Sequence, residues 1–403
     1  MEHSTARPAG LKDMRRSNEL LVLEELYRES PSTRTAVARA IGLTKPTVSA
    51  ALSSLIDAGL VEQVASDAAV SKYGAELFRA AGASLPVLGL DVGTRFIRAQ
   101  LAGLDDRLLA EAEEPAGDLT LSGIIVTILR LRTEVCRRAG IDVRDIQAIG
   151  IGIPGVVHPQ TGRIEMAGGF EGLNGTALAA DLSDLLGTPV FVENDVNAAA
   201  LAERRYGSCT QTDDFAMISV GAGVGGALVL GGRVHRGGRG SAGELDLLFR
   251  ESSRGPIVED PSSPAMIALA ESRLREGGSA VDATTVSIPI DLPALFAAAE
   301  SGDAFAQAIV DETACRIAAL CATVVAVVDV ETIVLVGGVG AAIDQGRPAL
   351  EACLADLVPW PVSVIPSTLG RAGTVQGARL LAVTAARRDI FATKLGKTLY
   401  TIP

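Results

Sequence analysis

Val87-Leu88-Gly89-Leu90-Asp91-Val92-Gly93 decides how this chain is read. It is an apolar run that ends on Asp-x-Gly. A second alternating stretch follows at Phe96 to Leu101, then Gly103-Leu104-Asp105-Asp106 and Leu108-Leu109-Ala110. Period-two alternation broken by Gly and Asp predicts a β-meander with an acid and a glycine at its first turn. The pattern returns about 130 residues later, which suggests an internal duplication. There Phe215 to Val220 leads into Gly221-Ala222-Gly223-Val224-Gly225-Gly226, then Ala227 to Leu230 and Gly231-Gly232. Such turns bare backbone N–H groups to phosphate oxygens, and they equally close plain tight hairpins.

Between the two units, Ile124 to Ala139 reads as a helix and Ile146 to Ile153 as a buried strand ending in Pro154-Gly155. Leu178 to Leu186 is a helix and Pro189 to Glu193 a strand. Asn194-Asp195 follows at once, and Val196 to Tyr206 is helical. A carboxylate at the end of a buried strand, just before a helix, sits where α/β proteins place ligands. Asp195 can take a proton from a hydroxyl, and Asn194 can hydrogen-bond a neighbouring one. Both residue types also cap helices, so the local pattern supports either role. Further on, Ser241-Ala242-Gly243-Glu244 follows a Gly/Arg run, and Ala304 to Val328 is a long apolar helix. Thr332 to Val336 is a buried strand turning at Gly337-Gly338, and Gly377-Ala378 opens a final helix. Strands and helices alternate throughout, so the class is α/β.

Upstream of this body the pattern changes. Leu20, Leu21, Leu23 and Leu26 recur at helical spacing after Ser17-Asn18, and a short helix fits Arg34 to Ala40. Gly42-Leu43-Thr44 makes a tight turn. Thr44 caps the next helix, and Pro46 falls in its first turn, where a missing N–H is harmless. Val48, Leu52, Leu55 and Ile56 form its apolar stripe, and Leu60 to Val64 alternates like the first strand of a wing. Two short helices joined by a Gly turn are a helix-turn-helix pattern. A small helical bundle used for dimerisation is the plainer reading. The exposed side of the second helix offers Lys45, Thr47, Ser49, Ala50, Ser53 and Ser54, short groups suited to phosphates, base edges and thymine methyls. Residues 65–85 read as wing tip, return strand and linker.

Composition sets the bounds. With 403 residues, 48% apolar and 21% charged, the chain can bury large cores. Aromatics are only 3%, so those cores are aliphatic. The net charge of −12 argues against a body coated for sequence-independent nucleic-acid binding. The first eighty residues carry 10 basic and 10 acidic side chains, so all the excess acid lies downstream of the DNA-binding pattern. The five cysteines show no C-x-x-C spacing. They read mostly as small core residues of a reducing compartment. The longest apolar run, Ile317 to Val328, falls short of a membrane span, and no signal peptide is evident. A cytoplasmic protein is expected.

Taken together, these residues resemble the ROK family, named for repressors, open reading frames and kinases. The resemblance covers almost the whole chain. It rests on GLTKPTVSAALSSLIDAGLVE from Gly42, DVG at Asp91, GIGIPGVV at Gly150–Val157 and END at Glu193–Asp195. VGAGVGG at Val220–Gly226, AGE at Ala242–Glu244 and VGG at Val336–Gly338 complete it. It implies a winged helix-turn-helix fused to an actin/hexokinase-like body of two α/β subdomains with a cleft between them. The division this suggests is 1–83, 84–198 and 199–403, with the last helix packing back on the first subdomain. Members are sugar kinases or sugar-responsive regulators, and the fused winged helix places this chain with the regulators.

The resemblance also carries departures. Leu247 stands where the family's AGE motif runs on to a Gly-His, and Arg250 to Pro261 lacks the cysteines of the family's zinc loop. His158 and His235 do not replace them, so no metal is expected. Ala222 replaces a threonine of the phosphate turn. Phe170 stands near the family's sugar-loop Trp, and its Asn is missing. Ser71-Lys72-Tyr73-Gly74 lies where the wing often has Gly-Arg-Pro.

The implied reading is a sequence-specific regulator, a repressor, without catalysis or cofactor. Asp195 is then a vestigial base. The expected DNA contacts are Arg34, Thr44, Lys45, Pro46, Thr47, Ser49 and Ala50 on a double-stranded operator, bound as a homodimer or homotetramer. Asn194, Asp195 and Glu244 are the expected ligands of a sugar effector. Asp91, Gly93, Thr94, Gly221, Ala222 and Gly223 are phosphate-loop remnants. An ATP-dependent sugar kinase with a fused DNA-binding domain is the rival, and a scaffold with a decayed cleft is a third class.

Overall fold

The computed structural model describes residues 11–64, 76–82, 85–249 and 258–395. The chain starts with α1 (Leu11–Arg28), β1 (Ser32–Thr33), α2 (Arg34–Ala40), α3 (Lys45–Asp57), β2 (Val61–Val64) and β3 (Leu77–Ala80). Thr33 and Thr44 start α2 and α3 by accepting backbone N–H groups three residues on. Val48, Ala51, Leu52 and Leu55 turn one face of α3 into the module's core. The three strands pair in the order β1-β3-β2, and the wing tip with its Ser71–Gly74 segment lies outside the described residues. α1 begins well before Ser17. The added turns hold good helix formers, and Arg15 pairs with Glu19 one turn on at 3.2 Å.

The body's first sheet comes from β4 (Pro86–Val92), β5 (Phe96–Gly103), β6 (Leu108–Pro115), β7 (Ile149–Ile153) and, after the short β8 (Val156–Val157) and β9 (Ile164–Glu165), β10 (Val190–Asn194). α4 (Leu121–Ala139), α5 (Leu178–Leu186) and α6 (Asp195–Tyr206) accompany it. The second sheet uses β11 (Phe215–Val220), β12 (Val224–Leu230), β13 (Arg233–Val234), β14 (Thr332–Val336) and β15 (Ser363–Pro366). Around it lie α7 (Ser263–Glu276), α8 (Ser279–Ala283), α9 (Leu292–Glu300), α10 (Ala304–Val328), α11 (Gly337–Ala342) and α12 (Arg347–Leu357). α13 (Gly373–Leu395) ends the described chain.

The strand orders are β10-β7-β4-β5-β6 and β13-β12-β11-β14-β15. Read outward from the first strand of each, they are the same: a three-stranded antiparallel meander, with two parallel strands added beside its first strand. The repeated glycine-turn units thus head two copies of one topology.

The final helix begins at Gly373, not at Gly377. Gly377 sits inside it, against the carbonyl of Ala198 on α6. Its helical cost is outweighed by the close crossing that only a missing Cβ permits. α13 also lies on β4 and β7, where Gly89 and Gly150 let the backbones approach. Further along, Ala382, Val383, Ala386 and Phe391 of α13 share one core with Val22, Leu26, Leu52 and Phe78 of the winged helix. Val87, Ala102 and Leu104 of the first sheet join it, so the winged-helix module and the body are packed as one unit at this seam.

The cysteine expectation needs correction. Cys315 on α10 and Cys353 on α12 are bonded, with Cα atoms 5.5 Å apart. Their 38-residue separation carries no local motif, and only the side-by-side packing of the two helices brings them together. Cys136, Cys209 and Cys321 are buried thiols. No helix of the described residues is long and apolar enough to cross a membrane.

Candidate functional site

The two sheets face a cleft whose floor is α13's first turn. A cavity of about 250 Å³ there is lined by Asp91, Arg98, Asp195, Ser219, Arg371 and Thr374, among others. It shares Arg98, Val336, Gly337, Ser367, Gly370 and Arg371 with a neighbouring cavity of about 520 Å³ that also holds Gly93, Thr94, Arg95 and Gly338.

Asp195 is the first residue of α6, directly after β10. Its Oδ1 accepts from the N–H of Val196 at 2.9 Å, and Thr374 Oγ1 donates to its carbonyl at 3.3 Å. Burial pushes its carboxyl above the ordinary range, partly offset by backbone N–H groups. That favours proton sharing with a ligand hydroxyl over bare charge. Asn194, read as a second ligand, is the cap of α6. Its Oδ1 accepts from Val196 and Asn197, and its Nδ2 donates to Gly155 O at 3.0 Å. This accounts for both lone pairs, so Asn194 can offer a ligand one N–H and no acceptor. Glu244 sits on the turn before a short 3-10 helix at Leu245–Phe249. The neighbouring Gly243 lies tight against Gly226 O of β12. Neither Asn194 nor Glu244 lines either cavity.

Of the phosphate-loop residues, Asp91 lies in the smaller cavity, and Gly93 and Thr94 line the larger. Gly221, Ala222 and Gly223 form the β11–β12 turn, closed by Gly221 N–H to Gly223 O at 2.9 Å. That turn faces Gly337 and Gly338 at the start of α11. Phe170, placed near the family's sugar-loop Trp, is instead a core residue of the first sheet's helices, 5% exposed. Leu247 is exposed.

Several residues escaped the sequence reading. Glu193, buried, accepts from Asn197 Nδ2 at 3.1 Å and from Arg236 Nε at 2.7 Å, and so ties the Gly/Arg loop to α6. Arg98 pairs with Asp91 at 2.9 Å. A three-residue turn after Val92 places these two opposite each other, so hairpin register was the available signal. Arg371, Ser219 and Thr374 belong to no motif, and only the fold brings them to the cleft.

The Asp91 carboxyl is pushed up to about 6, chiefly by burial and a little by Asp195, against the pull of Arg98. A carboxyl that binds its proton more tightly when folded loses stability as pH rises through that value, because the folded state must ionise a buried group. Asp91→Asn is therefore expected to be more stable than wild type above about pH 7 and no more stable near pH 3, where both side chains are neutral. Urea unfolding at the two pH values checks this. An advantage confined to low pH would contradict it.

On the winged helix, Thr44, Lys45, Pro46 and Ala50 are exposed, while Thr47 and Ser49 are half-buried. The hydroxyls of Thr44 and Thr47 bond each other at 2.8 Å. Arg34, read as a phosphate contact, is engaged within the module. It pairs with Glu76 at 2.9 Å and lies over the ring of Phe78.

The model of the ROK family matches residues 87–246 and 278–385, and that of the MarR family matches residues 9–69. The xylose repressor of Caldicellulosiruptor bescii is 26% identical over 245 residues, 58% of this chain and 58% of that protein. The bifunctional enzyme NanE/NanK of Brucella suis is 36% identical over 202 residues, 49% of this chain and 36% of that protein. The chain thus spans little more than half of the repressor and about a third of the enzyme. Among solved structures, a ROK family transcriptional regulator described as a homolog of the E. coli MLC protein aligns with a TM-score of 0.75 at 22% identity. It covers 95% of this chain and 99% of its own, and attests the fold. The ROK hexokinase of Thermus thermophilus aligns with a TM-score of 0.61 at 28% identity, over 75% of this chain and 99% of its own.

Proposed function

Because this chain belongs to the ROK family, we propose that it is a sequence-specific DNA-binding regulator, a repressor, with a kinase-like cleft that takes a sugar or sugar derivative. One observation carries the reading: α13 runs unbroken from the cleft to the winged helix. Its first turn supplies Gly373 and Thr374 to the cavity beside Asp195. Its last turns supply Phe391 to the winged-helix core and Lys394 Nζ to the carbonyl of Gly59, at the end of the recognition helix. Its 23 residues span about 34 Å. A ligand that closes the cleft and binds one position of α13 better than another shifts the populations of the DNA-binding module. The xylose repressor among the relatives supports a sugar as that ligand.

In this reading a dimer or tetramer presents two winged helices to an inverted repeat, one per half-site. Footprinting on the gene's own upstream region, with and without a panel of sugars and sugar phosphates, tests it. The cleft is tested by thermal shift with the same panel. Asp195→Ala is expected to abolish any shift the wild type shows, since it removes the cavity carboxylate that is not paired with Arg98. A sugar that binds that variant as well as wild type would sink the assignment. The rival, a sugar kinase with a fused DNA-binding domain, is favoured by the same Asp195 and by the hexokinase likeness. A coupled ADP-release assay over hexoses and amino sugars discriminates, with Asp195→Asn as the blank.

A further inference from the structure

Kinases of this fold imply a nucleotide carried with a divalent cation, and the residues here can be tested for a fit to it. A hard cation such as Mg²⁺ takes oxygen ligands, carboxylates first. The carboxylates that line the cavity are Asp91 and Asp195. Asp91 is already taken: its Oδ2 lies 2.9 Å from Nη1 of Arg98. Arg98 in turn places Nε 2.7 Å from Oε2 of Glu113.

The sheet itself fixes this arrangement. Asp91 on β4 is the direct cross-strand partner of Arg98 on β5, and Arg98 is the direct partner of Glu113 on β6. Side chains directly opposite in antiparallel strands point to the same face, so three adjacent strands carry a line of minus, plus, minus charges. The register cannot slip by one residue without turning every side chain to the other face. The Arg98 side chain is 19% exposed and that of Asp91 9%, so the pair is largely out of solvent, where screening is weak. Arginine does not deprotonate in proteins, so the positive charge is permanent. A second guanidinium, Arg371, lines the same cavity.

We infer that Arg98 is a built-in cation that occupies the Asp91 carboxylate a divalent cation would need, and that it keeps the metal of a metal-borne nucleotide out of the cleft while leaving Asp195 open to a polyol. The metal–nucleotide group therefore does not fit these residues. The inference deepens the regulator reading and rests on it: the loss of kinase chemistry is then set by strand register as much as by loop residues. Arg98 would act as a specificity-determining residue, through the charge it places beside Asp91.

The test uses the full chain and Mn²⁺ with AMPPNP as the probe, read by the electron paramagnetic resonance signal of free Mn²⁺ and by thermal shift. Wild type and Arg98→Lys, which keeps the charge, are expected to show no uptake of Mn–AMPPNP at millimolar concentration. Arg98→Gln keeps a hydrogen-bond donor for Asp91 and Glu113 without the charge. It is expected to bind the probe at least tenfold more tightly than wild type, and only with the metal present. Arg98→Ala is a second uncharged variant in case the glutamine still obstructs the site, and circular dichroism checks that both fold. Binding by wild type equal to that of folded Arg98→Gln overturns the inference, as does absence of any gain in both uncharged variants. Footprinting of the wild-type protein, run alongside, tests the regulator reading separately. A protein that protects DNA and yet takes up Mn–AMPPNP would remove only the role of Arg98.

Discussion

Gly377→Ala should be among the most damaging single-methyl changes in this chain. A Cβ at Gly377 would lie 1.7 Å from the carbonyl oxygen of Ala198 and 2.4 Å from its carbonyl carbon. Both are backbone atoms of α6, so no rotamer change relieves the clash. α13 has a second tight contact as well. There it rests on the first sheet, where Cβ atoms built on Gly150 and Gly89 would already meet Ala378 O at 1.9 Å and Arg379 N at 2.5 Å. The helix approaches both α6 and the first sheet at backbone distance, and one added methyl must part it from α6. Overpacking of this kind costs about 3 kcal/mol or more, which corresponds to a fall of roughly 5–10 °C in the thermal midpoint. Gly223→Ala is the matched control, because nothing lies within 4 Å of its Cβ position and its φ is ordinary. It should stay within about 0.5 kcal/mol of wild type. Since α13 also anchors the winged helix through Ala382, Val383, Ala386 and Phe391, Gly377→Ala should weaken operator binding as well. Differential scanning fluorimetry and a gel shift on the same samples check both parts. A midpoint within 1 °C of wild type would show that α6 and α13 are not held at this distance.

The elements that sequence reading located best are those whose signal is local. Thr44 and Pro46 mark the start of α3 because capping and a missing N–H act within one turn. α5 and α10 match the boundaries read from apolar periodicity and flanking polar residues. What escaped depends on partners distant in sequence. Gly377 reads as a helix start because its compensation lies 179 residues away, at Ala198. Cys315 and Cys353 read as isolated thiols because the packing of α10 on α12 leaves no trace in either helix. At the cleft, Asp195 was legible from its place after a buried strand. Asn194 fitted two roles on local grounds, and the hydrogen bonds to Val196, Asn197 and Gly155 show it acting as the cap. Arg98 was within reach, because a short turn fixes the register that sets it against Asp91. Arg34 shows the limit: at the first position of α2 it could face a phosphate, but Glu76, just before β3, pairs with it.

That engagement of Arg34 throws weight onto Lys45 and leads to the second large effect. Arg79 on the wing strand is paired with Glu62 at 3.0 Å, as Arg34 is with Glu76. Lys45, exposed in the first turn of α3, makes no ion pair among the described residues, and the module has no net charge to spare. The body behind it is strongly acidic, so attraction to DNA depends on few positive groups close to the phosphates. Lys45→Glu replaces attraction by repulsion at the N-terminal end of the recognition helix, and the proposed dimer would carry the change into both half-sites. Operator affinity is expected to fall on the order of 100-fold or more, with Lys45→Ala intermediate. Salt dependence separates a phosphate contact from a folding defect. In the alanine variant the slope of log affinity against log salt should shrink by about 2, one released counterion per half-site. The thermal midpoint should not move, because the side chain packs against no core. Fluorescence anisotropy on the footprinted operator at several salt concentrations measures both quantities. Unchanged affinity and slope would place the DNA-reading surface elsewhere than the front of α3.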